Sequence, residues 1–198
     1  MATARVLRIG ILCFDDVDEL DLVGTHEVLT TWAERSPLRP EVITFSADGA
    51  GVRCAHGLRL LPDTSADDVG VLHVLIWPGG PGTRALATDP LHLAWARTMR
   101  ERTPLLAAVS TGVLALAAAG LLAGRPATTR RDAFDELVGY DPTVLADTEA
   151  RFVDDGDTVT SGAGSAGMDM ALHLVSRLEN LEAATQVRFR LQHDPVPT

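Results

Sequence analysis

The chain has 198 residues, 46% of them hydrophobic, and a formal net charge of −10. That is long and apolar enough to bury a sizeable core, which excludes a disordered chain. The acidic balance argues against a nucleic-acid partner, because the phosphates would be repelled. Two cysteines, Cys13 and Cys54, make no disulfide framework. No CxxC or HExxH spacing points to a metal, and no cofactor is expected. The N-terminal run up to Phe14 is too short to cross a membrane and lacks a signal-peptide cleavage site. A cytoplasmic protein without membrane association is therefore expected. The Ala, Arg and Gly content is compatible with a GC-rich bacterium.

Val6 to Phe14, VLRIGILCF, reads as a strand buried on both faces. Asp15 to Asp21 follows as an acidic loop, and Leu22 to Glu34 has helical spacing. Asp21 stands at the head of that helix, where Asp is favoured as an N-cap. Pro40 to Ser46 is a second strand, and Gly49 to Pro62 reads as short strands around turns. Asp67 to Gly70 is a turn or short helix. Val71 to Trp77 is another fully buried strand, ending at Pro78-Gly79-Gly80-Pro81-Gly82-Thr83. Pro90 to Glu101 is an amphipathic helix.

Leu105 to Val109 is a short apolar strand, and Val113 to Ala119 is built from strong helix formers. Between them the chain turns sharply through Ser110-Thr111-Gly112. This is the pattern of a nucleophile elbow, with Ser110 facing a crevice near backbone N–H donors. An ordinary buried strand–turn–helix would read the same way. A membrane span over 104–129 is disfavoured by Pro104, Ser110-Thr111-Gly112 and Gly120. Asp132 to Val138 is a short helix, Glu149 to Ser161 a hairpin around Asp154-Asp155-Gly156-Asp157. Ser165 to Leu178 and Leu181 to Leu191 are helices, and the tail from His193 is irregular.

Strands alternate with helices, and three strands are apolar runs without alternation, the pattern of a parallel sheet covered on both faces. The expected architecture is one domain over residues 1–198, an α/β flavodoxin-like three-layer sandwich with a mostly parallel sheet. Ligands of such sheets bind at the C-terminal strand ends. There the 15–21 loop, the 78–83 turn and Ser110 would meet.

Four motifs in this order, ELDLVGTHEVL (19–29), WPGGPGT (77–83), VSTGVLALAAAGLLAGRPATT (109–129) and SGAGSAGMDMALHLV (161–175), resemble the ThiJ/PfpI superfamily. Within it the resemblance is to the isonitrile hydratase branch, over nearly the whole chain. It implies a nucleophile at the elbow, here Ser110, and an acidic partner from the first loop, here Asp21. It also implies oxyanion-binding N–H groups at Thr111 and Gly80, with Gly79 and Gly112 shaping the substrate pocket. The family's members are commonly homodimers acting on small molecules.

The chain departs from that pattern at three positions. Ser110 stands where the family has Cys. Arg130 stands where many relatives have His, and Thr25 replaces a Pro. A helix N-terminus can make a thiolate abundant at neutral pH, whereas a serine hydroxyl needs a general base. Ser110 is either a Cys-to-Ser replacement or the mark of a natural branch with changed chemistry. The simultaneous loss of His and Pro favours the second. In such a branch Asp21 becomes the acid/base, Ser110 and Thr111 become hydrogen-bond donors, and Arg130 either pairs with a substrate carboxylate or is a solvated surface residue. Three functional classes stand open: an isonitrile hydratase-like hydro-lyase, a non-catalytic metabolite-binding domain, and a Ser-His-Asp hydrolase using Asp169 and His173.

Overall fold

A computed structural model describes residues 6–194. Residues 195–198, most of the tail read as irregular, lie outside the described residues, as do residues 1–5. The elements run β1 (Arg8–Leu12), α1 (Glu19–Ala33), β2 (Glu41–Ser46), β3 (Val52–Arg53), β4 (Arg59–Leu60), β5 (Thr64–Ser65) and β6 (Val74–Trp77). They continue with α2 (Thr83–Leu86), α3 (Pro90–Arg102), β7 (Leu105–Val109), α4 (Gly112–Ala118), β8 (Pro126–Ala127), α5 (Phe134–Tyr140), β9 (Leu145–Ala146), β10 (Phe152–Asp154), β11 (Thr158–Ser161), α6 (Ser165–Leu178) and α7 (Leu181–Arg190).

The central sheet has seven strands in the order β10-β11-β7-β6-β1-β2-β5. Every pairing is parallel except β10 with β11 at one edge. Helices α1, α6 and α7 pack together as one group, and α2 to α5 as a second built around α4. The expected flavodoxin-like sandwich, with helices on both faces, is what forms. All five residues of β7 are buried, as are the four of β6, which explains their unbroken apolar sequences. Side chains of Ile9, Ile11, Leu75, Trp77, Leu106 and Leu114 fill the core.

Strand β1 has β2 on one side and β6 on the other. The chain thus winds outward from β1 in one direction, then returns and continues in the opposite one. This switch point, at the C-terminal ends of β1 and β6, is where open parallel sheets of this kind bind their ligands. No helix among the described residues is long and apolar enough to cross a membrane.

Several boundaries differ from the sequence reading. Helix α1 starts at Glu19 rather than Leu22, because Asp18 is the cap: its carboxylate accepts from the N–H groups of Leu20 at 3.0 Å and Asp21 at 3.2 Å. Asp21 is therefore not an N-cap but a first-turn residue, and its carboxyl group is left for other work. Strand β6 begins at Val74 rather than Val71, whose side chain is exposed. Helix α5 starts two residues later than read, after Ala133. The pairing of β8 with β9 was not legible, since each is only two residues long.

Candidate active site

Strand β7 ends at Val109 and α4 begins at Gly112, so the turn is confined to Ser110 and Thr111. Ser110 has φ +56°, in the left-handed region that non-glycine residues rarely occupy. Such a conformation costs on the order of 1–3 kcal/mol and persists only where its surroundings impose it. Here they do. The Ser110 N–H donates to the Ser161 carbonyl at 2.8 Å, and its carbonyl accepts from the Thr129 hydroxyl at 2.7 Å and from Val113 N–H at 3.3 Å. The serine is buried, as an elbow residue directed inward would be.

The Gly79-Gly80 turn after β6 packs directly on the loop after β1. A Cβ on Gly80, whose φ is +131°, would lie 2.3 Å from the Asp16 carbonyl oxygen and 2.4 Å from Asp18 N. On Gly79 it would lie 2.6 Å from Asp21 Oδ2 and 2.9 Å from Ser110 Oγ. Asp21 and Ser110 thus meet over the bare face of Gly79, and glycine is required there because the two side chains occupy the space. The Thr111 hydroxyl accepts from Gly80 N–H at 2.9 Å and lies 3.1 Å from the Gly80 carbonyl, tying this turn to the elbow.

That bond corrects one expectation. The Gly80 N–H does not face the crevice as an oxyanion donor; it is held by Thr111, whose hydroxyl sits where α4 begins. The N–H of Gly79 instead lies toward the Asp21 carboxylate.

Asp21 is 1% exposed. Its Oδ1 accepts from Gly164 N–H at 2.7 Å, whereas Oδ2 is enclosed without a well-formed hydrogen bond. Burial is the main force on its acidity and pushes the pKa up to about 6. The N–H of Gly164 pulls it back down, Asp18 pushes it up, and the nearby Ser110 hydroxyl and Gly79 N–H lower it. A carboxyl group whose proton is lost at about pH 6, with one oxygen fixed and the other free, is suited to moving a proton.

Arg130 is not a bare surface residue. Its guanidinium grips Asp132, Nε to Oδ1 at 2.5 Å and a terminal nitrogen to Oδ2 at 2.7 Å, a pairing that raises the Arg130 pKa with smaller help from the charges of Asp21 and Asp18. The hydrolase triad does not assemble. His173 pairs with Asp154 at 2.5 Å, while Asp169 pairs with His193 at 2.7 Å and with Arg151. Among the described residues no histidine hydrogen-bonds to Ser110. The two cysteines do not replace the missing thiol: both are buried, and burial drives Cys13 up to about 12. Among the described residues no cluster of three or more His, Cys, Asp or Glu could hold a metal ion.

Sequence reasoning missed three contributors. Gly164 holds Asp21 through its N–H, and Thr129 holds the elbow carbonyl. Glu19 receives the N–H groups of His56 at 2.8 Å and Leu58 at 3.3 Å, clamping the β3–β4 hairpin onto the head of α1. The SGAGSAG and PATT stretches carried the first two, but nothing local marks a long-range backbone contact. Two cavities lie beside this cluster of residues. One, of about 610 Å³, is lined by Asp18, Glu19, Asp21, His56 and Leu58. The other, of about 670 Å³, lies beside Thr129 and Arg130. Ala163 lines both.

A parallel α/β sandwich with a strained serine elbow against a buried carboxyl group defines a class of elbow-bearing α/β proteins. The model of the DJ-1/PfpI family matches residues 7–177, and the chain belongs to that family. It is similar to the isonitrile hydratase of Pseudomonas putida, with 36% identity over 192 residues, 96% of this chain and 80% of that protein. It also resembles the HTH-type transcriptional regulator GbdR of Pseudomonas aeruginosa, 32% identical over 73% of this chain but only 39% of the regulator. Among solved structures, a THiJ/PfpI family protein from Pseudomonas syringae superposes with a TM-score of 0.84 at 30% identity, covering 98% of this chain and 77% of that one.

Proposed function

We propose that this protein hydrates an isonitrile-like carbon by acid–base catalysis at Asp21, with Ser110 orienting the water rather than bonding to the substrate. The observation that carries this reading is the buried Asp21 carboxyl, raised to about 6, whose free oxygen shares the space over Gly79 with Ser110 Oγ. Likeness to the Pseudomonas putida isonitrile hydratase supports the substrate class.

The chemistry balances without a thiol. Neutral Asp21 delivers its proton to the terminal carbon of R–N≡C, giving a nitrilium ion and an Asp21 carboxylate. Water held by the Ser110 hydroxyl adds its oxygen to that carbon, and Asp21 takes the proton the water releases. The resulting R–N=CH–OH tautomerises to the formamide R–NH–CHO. Only the proton-bearing form of Asp21 starts the sequence, so kcat/KM falls as pH rises through about 6. A thiolate mechanism would rise over the same range.

Turnover of p-nitrophenyl isocyanide to its formamide, followed across pH 5 to 8, tests this. Asp21→Asn is expected to lower kcat/KM roughly 100-fold or more. A rate that climbs with pH, or an Asp21→Asn protein as active as the parent, overturns the proposal.

A second reading is favoured by Ser110 itself, since the resemblance implies a cysteine there, and by similarity to a transcription regulator. In it the crevice binds a metabolite without changing it. Thermal stabilisation by a compound recovered intact, with no isocyanide turnover, would establish that alternative. A small-molecule ligand and a homodimer belong to both readings; light scattering on the purified protein tests the second of these.

A further inference from the structure

In the same helical turn as Asp21 stands a carboxylate that the reaction does not use. Glu19 opens α1. Its Oε1 accepts from the N–H groups of His56 at 2.8 Å and Leu58 at 3.3 Å, and its Oε2 meets His56 Nδ1 at 2.8 Å. All three partners lie in the tip between β3 and β4, where the chain reverses at Gly57 with φ +102°.

The hairpin is anchored at two levels. Its stem is docked by bonds that do not involve Glu19. Asp16 N–H donates to the Arg53 carbonyl at 2.8 Å, Ala55 N–H to the Val17 carbonyl at 2.9 Å, and Arg53 N–H to Asp15 Oδ1 at 2.8 Å. The tip has no such second tie. Among the described residues, every hydrogen bond that 56–58 makes outside the hairpin ends on Glu19. Removing this carboxylate therefore frees the tip and leaves the stem docked. His56 and Leu58 are exposed, so their released N–H groups turn to water at little cost to folding.

What the tip faces gives the clamp a use. His56 and Leu58 line the same cavity, of about 610 Å³, as Asp21 itself and as Gly164, whose N–H holds Asp21 Oδ1. Leu20 and Ala163 share that wall. Leu20 and Leu58 are 52% and 49% exposed, so each leaves apolar surface for a ligand to cover. A ligand in this cavity with its reacting end at Asp21 has the tip as part of its wall.

We propose that the 56–58 tip grips the body of the substrate, away from the reacting carbon, and that Glu19 is its positioning residue. This rests on the hydration reading above, and it adds the segment that sets affinity apart from the groups that react. A loop already held in its bound position lowers the ordering cost of binding, and the gain is the same for substrate and transition state. Such an effect appears in KM and not in kcat.

Steady-state kinetics with p-nitrophenyl isocyanide tests this. Glu19→Ala is expected to raise KM about tenfold with kcat held within about twofold. Glu19→Gln keeps an oxygen for the N–H groups of His56 and Leu58 and should restore most of the lost affinity. Leu58→Ala removes apolar contact without touching the clamp and should raise KM about threefold or more. Glu27→Ala, exposed on the same helix, should change neither constant. An unchanged KM in Glu19→Ala, or a kcat lowered by more than about twofold, overturns the inference and leaves hydration standing. Titration calorimetry with p-nitroformanilide, the product, gives a readout free of turnover. Binding that weakens about tenfold in Glu19→Ala supports the gripping tip even if the isocyanide does not react, in which case hydration falls by itself. Absence of both binding and turnover in the parent removes the tip's role along with the reaction.

Discussion

Helix α1 has a buried or half-buried carboxyl group from each end of its packing, and the two are not alike. Past its C-terminal end, Glu179 Oε2 accepts from Trp32 Nε1 at 2.7 Å and from Ser36 Oγ at 2.5 Å, beside a cavity of about 290 Å³. In its first turn, Asp21 has one oxygen bonded to a backbone N–H and the other enclosed without a well-formed bond. Glu179 holds α1 to the start of α7 and its polar oxygen is spent on doing so. Asp21 sits where its free oxygen can only be completed by a neighbouring hydroxyl, a proton or a ligand. A cavity lined by acids is therefore not enough to mark a site; the state of the acid's oxygens separates the structural carboxylate from the chemical one.

Gly79→Ala is the sharpest way to break this contrast. The new methyl would fall 2.6 Å from Asp21 Oδ2 and 2.9 Å from Ser110 Oγ, displacing one or both. A loss of roughly 100-fold or more in kcat/KM for p-nitrophenyl isocyanide is expected, since misplacement by about an ångström costs that much. Gly139→Ala, in α5 with open space around the added carbon, is the control and should leave the rate unchanged.

Next in size is a stability effect at Asp21. Its folded pKa of about 6 lies above the ordinary 3.8, so the native state holds the proton more tightly than the unfolded chain. The contribution of this group is greatest below pH 4 and is lost as pH rises through about 6. At pH 7 the Asp21→Asn protein is expected to exceed the parent in stability by up to about 3 kcal/mol, with the difference shrinking toward pH 4. Urea midpoints at the two pH values measure it, and a destabilised variant at pH 7 would contradict the strained carboxylate.

The smallest effect is at the other acid. Glu179→Gln keeps the shape but weakens charge-assisted bonds to Trp32 and Ser36, and should cost about 1–2 kcal/mol in a urea titration. Isocyanide turnover should be unaffected. A large drop in rate would merge the two regions that the geometry separates.

How far the site was legible depended on the reach of each contact. Ser110, Thr111 and Gly79-Gly80 lie in compact motifs whose strand–turn–helix context is local, and the structure packs Ser110 and Gly79 against Asp21. The role of Asp18 as the α1 cap was missed because the stretch 15–21 contains five acids, Asp15, Asp16, Asp18, Glu19 and Asp21, and only the path of the β1 loop selects one of them. The donor to Asp21 comes from Gly164, 143 positions away, and the donor to the Ser110 carbonyl from Thr129, 19 positions away. Arg130 could be flagged from its place in the motif, but its capture by Asp132 could not.

Apolar runs, their alternation with helices and the small residues at the elbow determined the parallel sandwich and the existence of its turn. These follow from local propensity and from the period of buried side chains, both written along the chain. Which carboxyl oxygen stays unbonded, which glycine N–H is occupied, and which acid holds the hairpin tip were decided only by folding. Each depends on groups far apart in sequence arriving within a few ångströms, where the loss of water sets their charge.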